Sequence, residues 1–220
     1  MRRNTPKHAR TRPSRSATGP VPAEQPRAVV FFGISGAGKG TQADLLARHL
    51  MDKDPARGVM RVDQGALLRS RAQRHDELGR RVKAIMAAGK LVPDFVATSL
   101  LADYVSNNFT RSSHWIFDGV ARYELQAQMF DELMAFYDRP NYTIIVLELS
   151  IERARKRLAL RGRIDETREE QLQNRFLWWA EKTVPAIRLL EKKGKLVYRI
   201  DGSLRPEQVH RAILQRLDLV

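Results

Sequence analysis

The 220-residue sequence contains no cysteine. Disulfides and cysteine-based zinc sites are therefore excluded, and the composition suits a reducing cytoplasm, where the chain is expected to act. Long apolar runs are missing as well. None approaches the roughly 20 residues that a membrane-spanning helix needs, so no membrane association is expected. The five histidines show no metal-ligand spacing, and no Ser-His-Asp set suggests a covalent nucleophile. Acidic residues are in short supply, 25 Asp and Glu against 39 Lys and Arg, which leaves a formal charge of +14. Such an excess attracts polyanions: nucleotides, nucleic acid or anionic membranes. Composition alone does not choose among them, and no internal repeat narrows the choice.

The first 26 residues lack what a fold requires. After Met1 no large apolar side chain appears before Val21, and Pro6, Pro13, Pro20, Pro22 and Pro26 interrupt any helix. Arg2, Arg3, Lys7, Arg10, Arg12, Arg15 and Arg27 face a single acid, Glu24, so +6 of the +14 precedes the first apolar run. Such a segment cannot bury enough surface to offset its ordering entropy, and residues 1–26 are expected to be a disordered basic tail. Plain solvation accounts for it; a nucleic-acid-binding arm is the sharper alternative. It has neither the amphipathic face of a transit peptide nor the apolar core of an export signal.

What is present begins at residue 27. The apolar run Ala28 to Phe32 stops at Gly33, a glycine-rich turn follows, and Gln42 to Leu50 reads as a helix. A short apolar run bounded by glycine suits a buried strand of a parallel sheet. Gly33, Gly36, Gly38 and Gly40 allow a tight turn whose N–H groups can approach phosphate oxygens, and the helix N-terminus adds partial positive charge. Lys39 adds a full charge. The pattern G-x-x-x-x-G-K-[ST] fits at Gly33, Gly38 and Lys39, except that Gly40 stands where a hydroxyl residue is usual and Thr41 follows one place later.

Downstream, strands and helices alternate. Strands are expected at Val59–Val62, Trp115–Phe117, Thr143–Leu149 and Leu196–Ile200. Helices are expected over Ala66–Arg74, Glu77–Ala88, Pro93–Asn108, Leu125–Phe136, Ile151–Leu160 and Arg168–Val184, and a last one from Pro206. Gly89 closes the second of these as a C-cap residue. Five strands joined by helical crossovers imply an α/β fold, a parallel sheet with helices on both faces. Ligands of such sheets gather beyond the C-terminal strand ends, where the Gly33 loop, Asp118-Gly119 and Asp201-Gly202 all fall. A carboxylate there, Asp118, is placed to hold Mg²⁺, often through water.

The extended loop, Gly33-Ile34-Ser35-Gly36-Ala37-Gly38-Lys39-Gly40-Thr41-Gln42, resembles that of the adenylate kinase family of nucleoside monophosphate kinases, which usually has Pro where Ser35 stands. Further segments resemble the family in the right order. Asp63-Gln64-Gly65-Ala66-Leu67-Leu68-Arg69 is similar to Ser-Thr-Gly-Asp-x-x-Arg, with Gln64 in place of Thr and Ala66 in place of Asp. Gly89-Lys90-Leu91-Val92-Pro93-Asp94 matches Gly-x-Leu-Val-Pro-Asp. Asp118-Gly119-Val120-Ala121-Arg122 is similar to Asp-Gly-Phe-Pro-Arg, and Gln126 follows where the family reads adenine. Arg157, Arg161, Gly162, Arg163, Asp165 and Glu166 resemble the lid, which is short here.

The resemblance covers residues 28 to about 215. It implies a P-loop NTPase three-layer sandwich with a helical acceptor-binding insertion over about 63–93 and a short lid over about 161–167, all within a kinase domain spanning 27–220. It also implies an ATP site made of Gly36, Ala37, Gly38, Lys39, Gly40, Thr41, Arg157, Arg161 and Gly202. The acceptor site would comprise Gln64, Arg69, Lys90, Leu91, Val92, Gly119, Arg122, Gln126, Arg163 and Arg175. The catalytic group would be Lys39, Asp118, Arg122, Arg163 and Arg175, with ATP and Mg²⁺ as cofactors and Asp118 on the metal. The implied reaction is ATP + AMP = 2 ADP, carried out by a monomer. Two other readings stay open. One is a kinase for CMP or UMP. The other is a non-catalytic nucleotide- or nucleic-acid-binding relative, favoured by the basic tail.

Overall fold

The structure is a computed structural model, and it describes residues 25–161 and 169–220. The basic tail, up to residue 24, lies outside the described residues. So does the lid beyond Arg161, including Arg163, Asp165 and Glu166.

The first apolar run forms β1, Ala28–Gly33, buried at every position. Among the described residues four more strands join it: β2 (Val59–Asp63), β3 (His114–Asp118), β4 (Thr143–Glu148) and β5 (Leu196–Asp201). All pair in parallel in the order β2-β3-β1-β4-β5. The helices are α1 (Lys39–Lys53), α2 (Gln64–Ala72), α3 (Glu77–Ala87), α4 (Asp94–Asn108), α5 (Glu124–Phe136), α6 (Ile151–Arg161), α7 (Glu169–Trp178), α8 (Val184–Lys192) and α9 (Pro206–Arg216).

Because side chains alternate along a strand, β1 feeds two cores. Val29 and Phe31 pack with Leu46 of α1, Leu158 of α6 and Ile213 of α9. Val30 and Phe32 pack with Val105 of α4, Phe130 of α5 and Ile187 of α8. Helices thus cover both faces, giving the expected three-layer P-loop NTPase sandwich. Between β2 and β3 the chain makes a third, smaller core from Leu68, Val82, Val92 and Val96. Local chemistry marks these helices off: Asp63 accepts the Ala66 N–H at 2.9 Å to start α2, and Asp76 accepts the Gly79 N–H at 2.8 Å to start α3. The Asp63 cap is why α2 starts at Gln64, two residues before the expected Ala66.

One expectation is corrected. The helix expected over Arg168–Val184 does not end before Pro185. After α7 the backbone widens into a π-helical stretch, Trp179–Thr183, and continues directly as α8. Pro185 lies in the first turn of α8, where its missing N–H breaks no bond. Loosening one turn absorbs the proline within a continuous helical run.

The start of β1 depends on a buried histidine. His114 Nδ1 accepts the Arg27 N–H at 3.0 Å, and its Nε2 faces Asp54 Oδ2 at 3.3 Å. Burial holds the imidazole below its usual pKa, and Asp54 only partly opposes this. His210 is depressed by burial and by neighbouring His49. For a depressed histidine the unfolded chain takes up the proton first, so this stability is complete above the unfolded pKa, about 6.5, and is lost as pH falls below it. Urea midpoints are therefore expected to drop between pH 7.5 and 5.5, and to drop less in a His114→Asn variant.

Candidate active site

The loop after β1 shapes one end of a cleft of about 660 Å³ at the C-terminal edge of the sheet. Gly38 precedes α1 with φ +93°, a left-handed conformation that a side chain resists, and nothing lies within 4 Å of where its Cβ would be. The backbone at Gly38 thus meets the cleft with no side chain of its own in the way. A Cβ on Gly36 would stand 2.9 Å from the Ala154 carbonyl of α6, so the loop and the basic helix are in close contact. Lys39 Nζ reaches back to the carbonyls of Gly33 at 2.9 Å and Ile34 at 3.3 Å, which sets its ammonium across the loop.

Asp118 ends β3 in register with Asp63 at the end of β2, so two carboxylates meet at neighbouring strand ends. Arg61 Nη2 lies 3.6 Å from Asp118 Oδ2. A Cβ on Gly40 would come within 3.4 Å of that same oxygen, which presses the carboxylate against the first turn of α1. Among the described residues no cluster of three or more carboxylates or imidazoles could cage a metal alone. The donors here are hard oxygens: the Asp118 carboxylate and the Thr41 hydroxyl, both lining the cleft. That set fits a Mg²⁺ that keeps phosphate and water ligands, as this ion prefers.

Arginines from three other elements face the cleft. Arg122 follows β3 and donates Nε–H to the Gly119 carbonyl at 2.8 Å. Burial pushes its pKa down, Asp118 opposes this, and the like charge of Arg175 adds to it, so Arg122, Arg175 and Asp118 share one electrostatic environment. Arg69 on α2 folds over Gly65, 3.6 Å from Asp63. Arg157 on α6 approaches the Ser203 carbonyl at 3.5 Å. Gly202 closes that end: a Cβ there would lie 3.1 Å from the Glu148 carbonyl and 3.2 Å from that of Ala37, so β4, β5 and the glycine loop converge.

The cleft brings together most of the residues expected from the sequence. It is lined by Gly36 to Thr41, Arg69, Lys90, Leu91, Val92, Asp118, Gly119, Arg122, Arg157, Arg175 and Gly202. Two are set apart. Gln64 and Gln126 border a separate small cavity between α4 and α5, and Gln64 donates to the Ala97 carbonyl at 3.0 Å. Arg161 ends α6, and Arg163 lies outside the described residues. Asp63 and Trp178 also line the cleft and were not singled out from the sequence. For Asp63 the signal was legible: like Asp118, it ends an apolar strand just before a glycine turn.

Comparison with known proteins identifies the pattern. A family model described as adenylate kinase matches residues 31–195. The chain is 33% identical to an adenylate kinase of Prochlorococcus marinus, over 87% of this chain and 97% of that one. It is 33% identical to an adenylate kinase of Thermus thermophilus, over 88% and 98%. An adenylate kinase of Thermobifida fusca is 34% identical, over 82% and 93%.

Proposed function

From the premise that this chain belongs to the adenylate kinase family and is a nucleoside monophosphate kinase, we propose that its acceptor is AMP and its reaction ATP + AMP = 2 ADP. The observation that carries the proposal is the gathering of cationic residues, Lys39, Lys90, Arg69, Arg122, Arg157 and Arg175, around a single cleft with Asp118.

Phosphoryl transfer asks little covalent work of a protein. It asks for in-line positioning and for neutralisation of the charge on the transferring oxygens. ATP brings three phosphates and the acceptor one, and these anions repel each other unless cations surround them. In this reading the loop amides and Lys39 hold the ATP phosphates, while Arg157, Arg161 and Gly202 hold the rest of ATP. Arg69 and Arg122 grip the acceptor phosphate, with Arg163 and Arg175 on the moving group. The backbone of Lys90, Leu91 and Val92 and the side chains of Gln64 and Gln126 take the acceptor base. Arg suits the phosphate contacts because its planar fork binds oxygens in pairs and stays charged. Mg²⁺, held at Asp118, supplies further charge neutralisation on the ATP oxygens. The segment around 161–167 acts as the lid that excludes water, which keeps ATP from hydrolysis. The insertion over about 63–93, with its own small core, is the acceptor-binding unit.

Among the described residues no helix is long and apolar enough to cross a membrane. We read the enzyme as a cytoplasmic monomer whose partners are nucleotides rather than nucleic acid. Steady-state rates with ATP and each of AMP, CMP, UMP and GMP test the acceptor. AMP is expected to give a kcat/KM at least about tenfold above the others, the discrimination that one well-made polar contact supplies. A preference for CMP or UMP overturns the assignment.

A further inference from the structure

The acceptor side of the cleft has two walls, Lys90 to Val92 and Gly119 to Arg122, and a side-chain hydrogen bond ties them from behind. Asp94, the first residue of α4 and two places beyond Val92, accepts from Gln126 Nε2 at 2.7 Å through its Oδ1. The other end of the same amide, Gln126 Oε1, accepts the Arg122 N–H at 3.0 Å. Gln126 is buried, and both bonds are partly withdrawn from water. We infer that Asp94 is a positioning residue: it fixes which way round the Gln126 amide stands, and through it selects acceptor bases whose edge presents a ring-nitrogen acceptor beside an amino donor. The inference rests on the reading of Gln126 as a contact to the acceptor base, which requires the base edge to reach the small cavity that Gln126 borders beside the cleft.

An amide looks nearly the same when turned over, but its hydrogen-bonding ends exchange. Turned over here, the NH₂ would face the Arg122 N–H, donor against donor. The oxygen would face the Asp94 carboxylate, acceptor against acceptor. Both bonds would be lost in a buried place, where an unpaired polar group is costly. A carboxylate only accepts, so Asp94 offers no proton with which to receive the flipped oxygen. One orientation therefore holds, and it leaves one Nε2–H to donate and one Oε1 lone pair to accept.

That remainder is complementary to adenine, whose N1 accepts and whose N6 amino group donates. Hypoxanthine and guanine reverse the pattern with N1–H and O6, and uracil reverses it with N3–H and O4. Cytosine shows the same sense as adenine through N3 and N4, so the locked amide does not reject CMP by its edge; ring size must do so.

A simple tie between α4 and α5 would change stability without changing base choice. The test is kcat/KM for AMP and for IMP, with ATP saturating, in the natural enzyme, Asp94→Asn, Asp94→Ala and Asp94→Ser, together with the ATP KM and the thermal midpoint. The AMP-to-IMP ratio is expected to fall about tenfold or more in Asp94→Ala, the selectivity that an oriented buried contact carries. The ATP KM should stay within about twofold, because ATP binds the other end of the cleft. Asp94→Ser, a good helix-start residue too short to reach Gln126, should behave like Asp94→Ala even if the alanine variant folds poorly. Asp94→Asn can turn its own oxygen to Gln126 Nε2 and should keep the natural ratio. A ratio unchanged in both Asp94→Ala and Asp94→Ser overturns the inference, as does an equal fall in Asp94→Asn. If the natural enzyme does not phosphorylate AMP at all, the reading of the acceptor fails first; if it does and the ratios stay flat, only the role of Asp94 fails.

Discussion

Lys39→Ala is expected to lower kcat by about a thousandfold or more, with the fold intact. Charge develops on the transferring phosphoryl oxygens, and one preorganised donor aimed at it is worth about 10²–10³ in rate; a full charge in a partly water-excluded site adds to that. Lys39 sits at the first turn of α1, directly after the glycine loop that lines the cleft. Its Nζ also bonds the Gly33 and Ile34 carbonyls, so the alanine variant could act by loosening the loop. Lys39→Met separates the two causes, because it keeps the apolar stem and removes the charge. Both variants should be nearly dead in a coupled ADP assay while their thermal midpoints change little. Near-normal turnover in Lys39→Met would remove the charge from the mechanism.

Arg122→Ala is expected to reduce kcat/KM for the monophosphate by about 10²–10³, while the ATP KM changes by no more than about twofold. The asymmetry follows from position. Arg122 lies after β3, in the segment read here as gripping the acceptor phosphate, with its guanidinium oriented by the Gly119 carbonyl at 2.8 Å. Asp118 keeps that buried guanidinium charged against the cost of desolvation. Its main-chain contacts, to Gln126 through N–H and from Thr183 through the carbonyl, survive truncation of the side chain. A loss of activity can therefore be read as a lost phosphate contact rather than a collapsed wall. Arg122→Lys restores a charge but not the paired fork, and should recover only part of the loss. An ATP KM that rises as much as that of AMP would place Arg122 on the donor side instead.

Much of the site was legible before any coordinates. Gly33 to Thr41 carries its own instructions: a buried strand, glycines where φ is positive, then Lys39 at a helix start. Asp118 and Arg122 could be found because they are fixed locally, one by the end of an apolar strand and the other by a turn four residues long. What escaped was set by contacts between distant segments. The expected helix stops at Val184, and only the widened turn before Pro185 shows how the chain continues over Val184–Lys192. Asp63 stands in the sequence only as the first residue of the segment running to Arg69, and strand register is what puts it opposite Asp118.

The amino-acid order by itself determined the period of the elements, the phosphate loop, and the supply of cations that a site for two nucleotides requires. These follow from neighbours along the chain: apolar runs, turn residues, and charges spaced on one helix face. The tertiary structure alone decided which of those cations share a cleft. Arg61, which none of the motifs includes, leans on Asp118 because β2 pairs with β3. Gln126 is held by Asp94, 32 residues away, only because α4 and α5 pack side by side. A hydrogen bond between remote segments depends on where packing brings them, and that is a property of the whole sheet and its two cores rather than of any stretch of sequence.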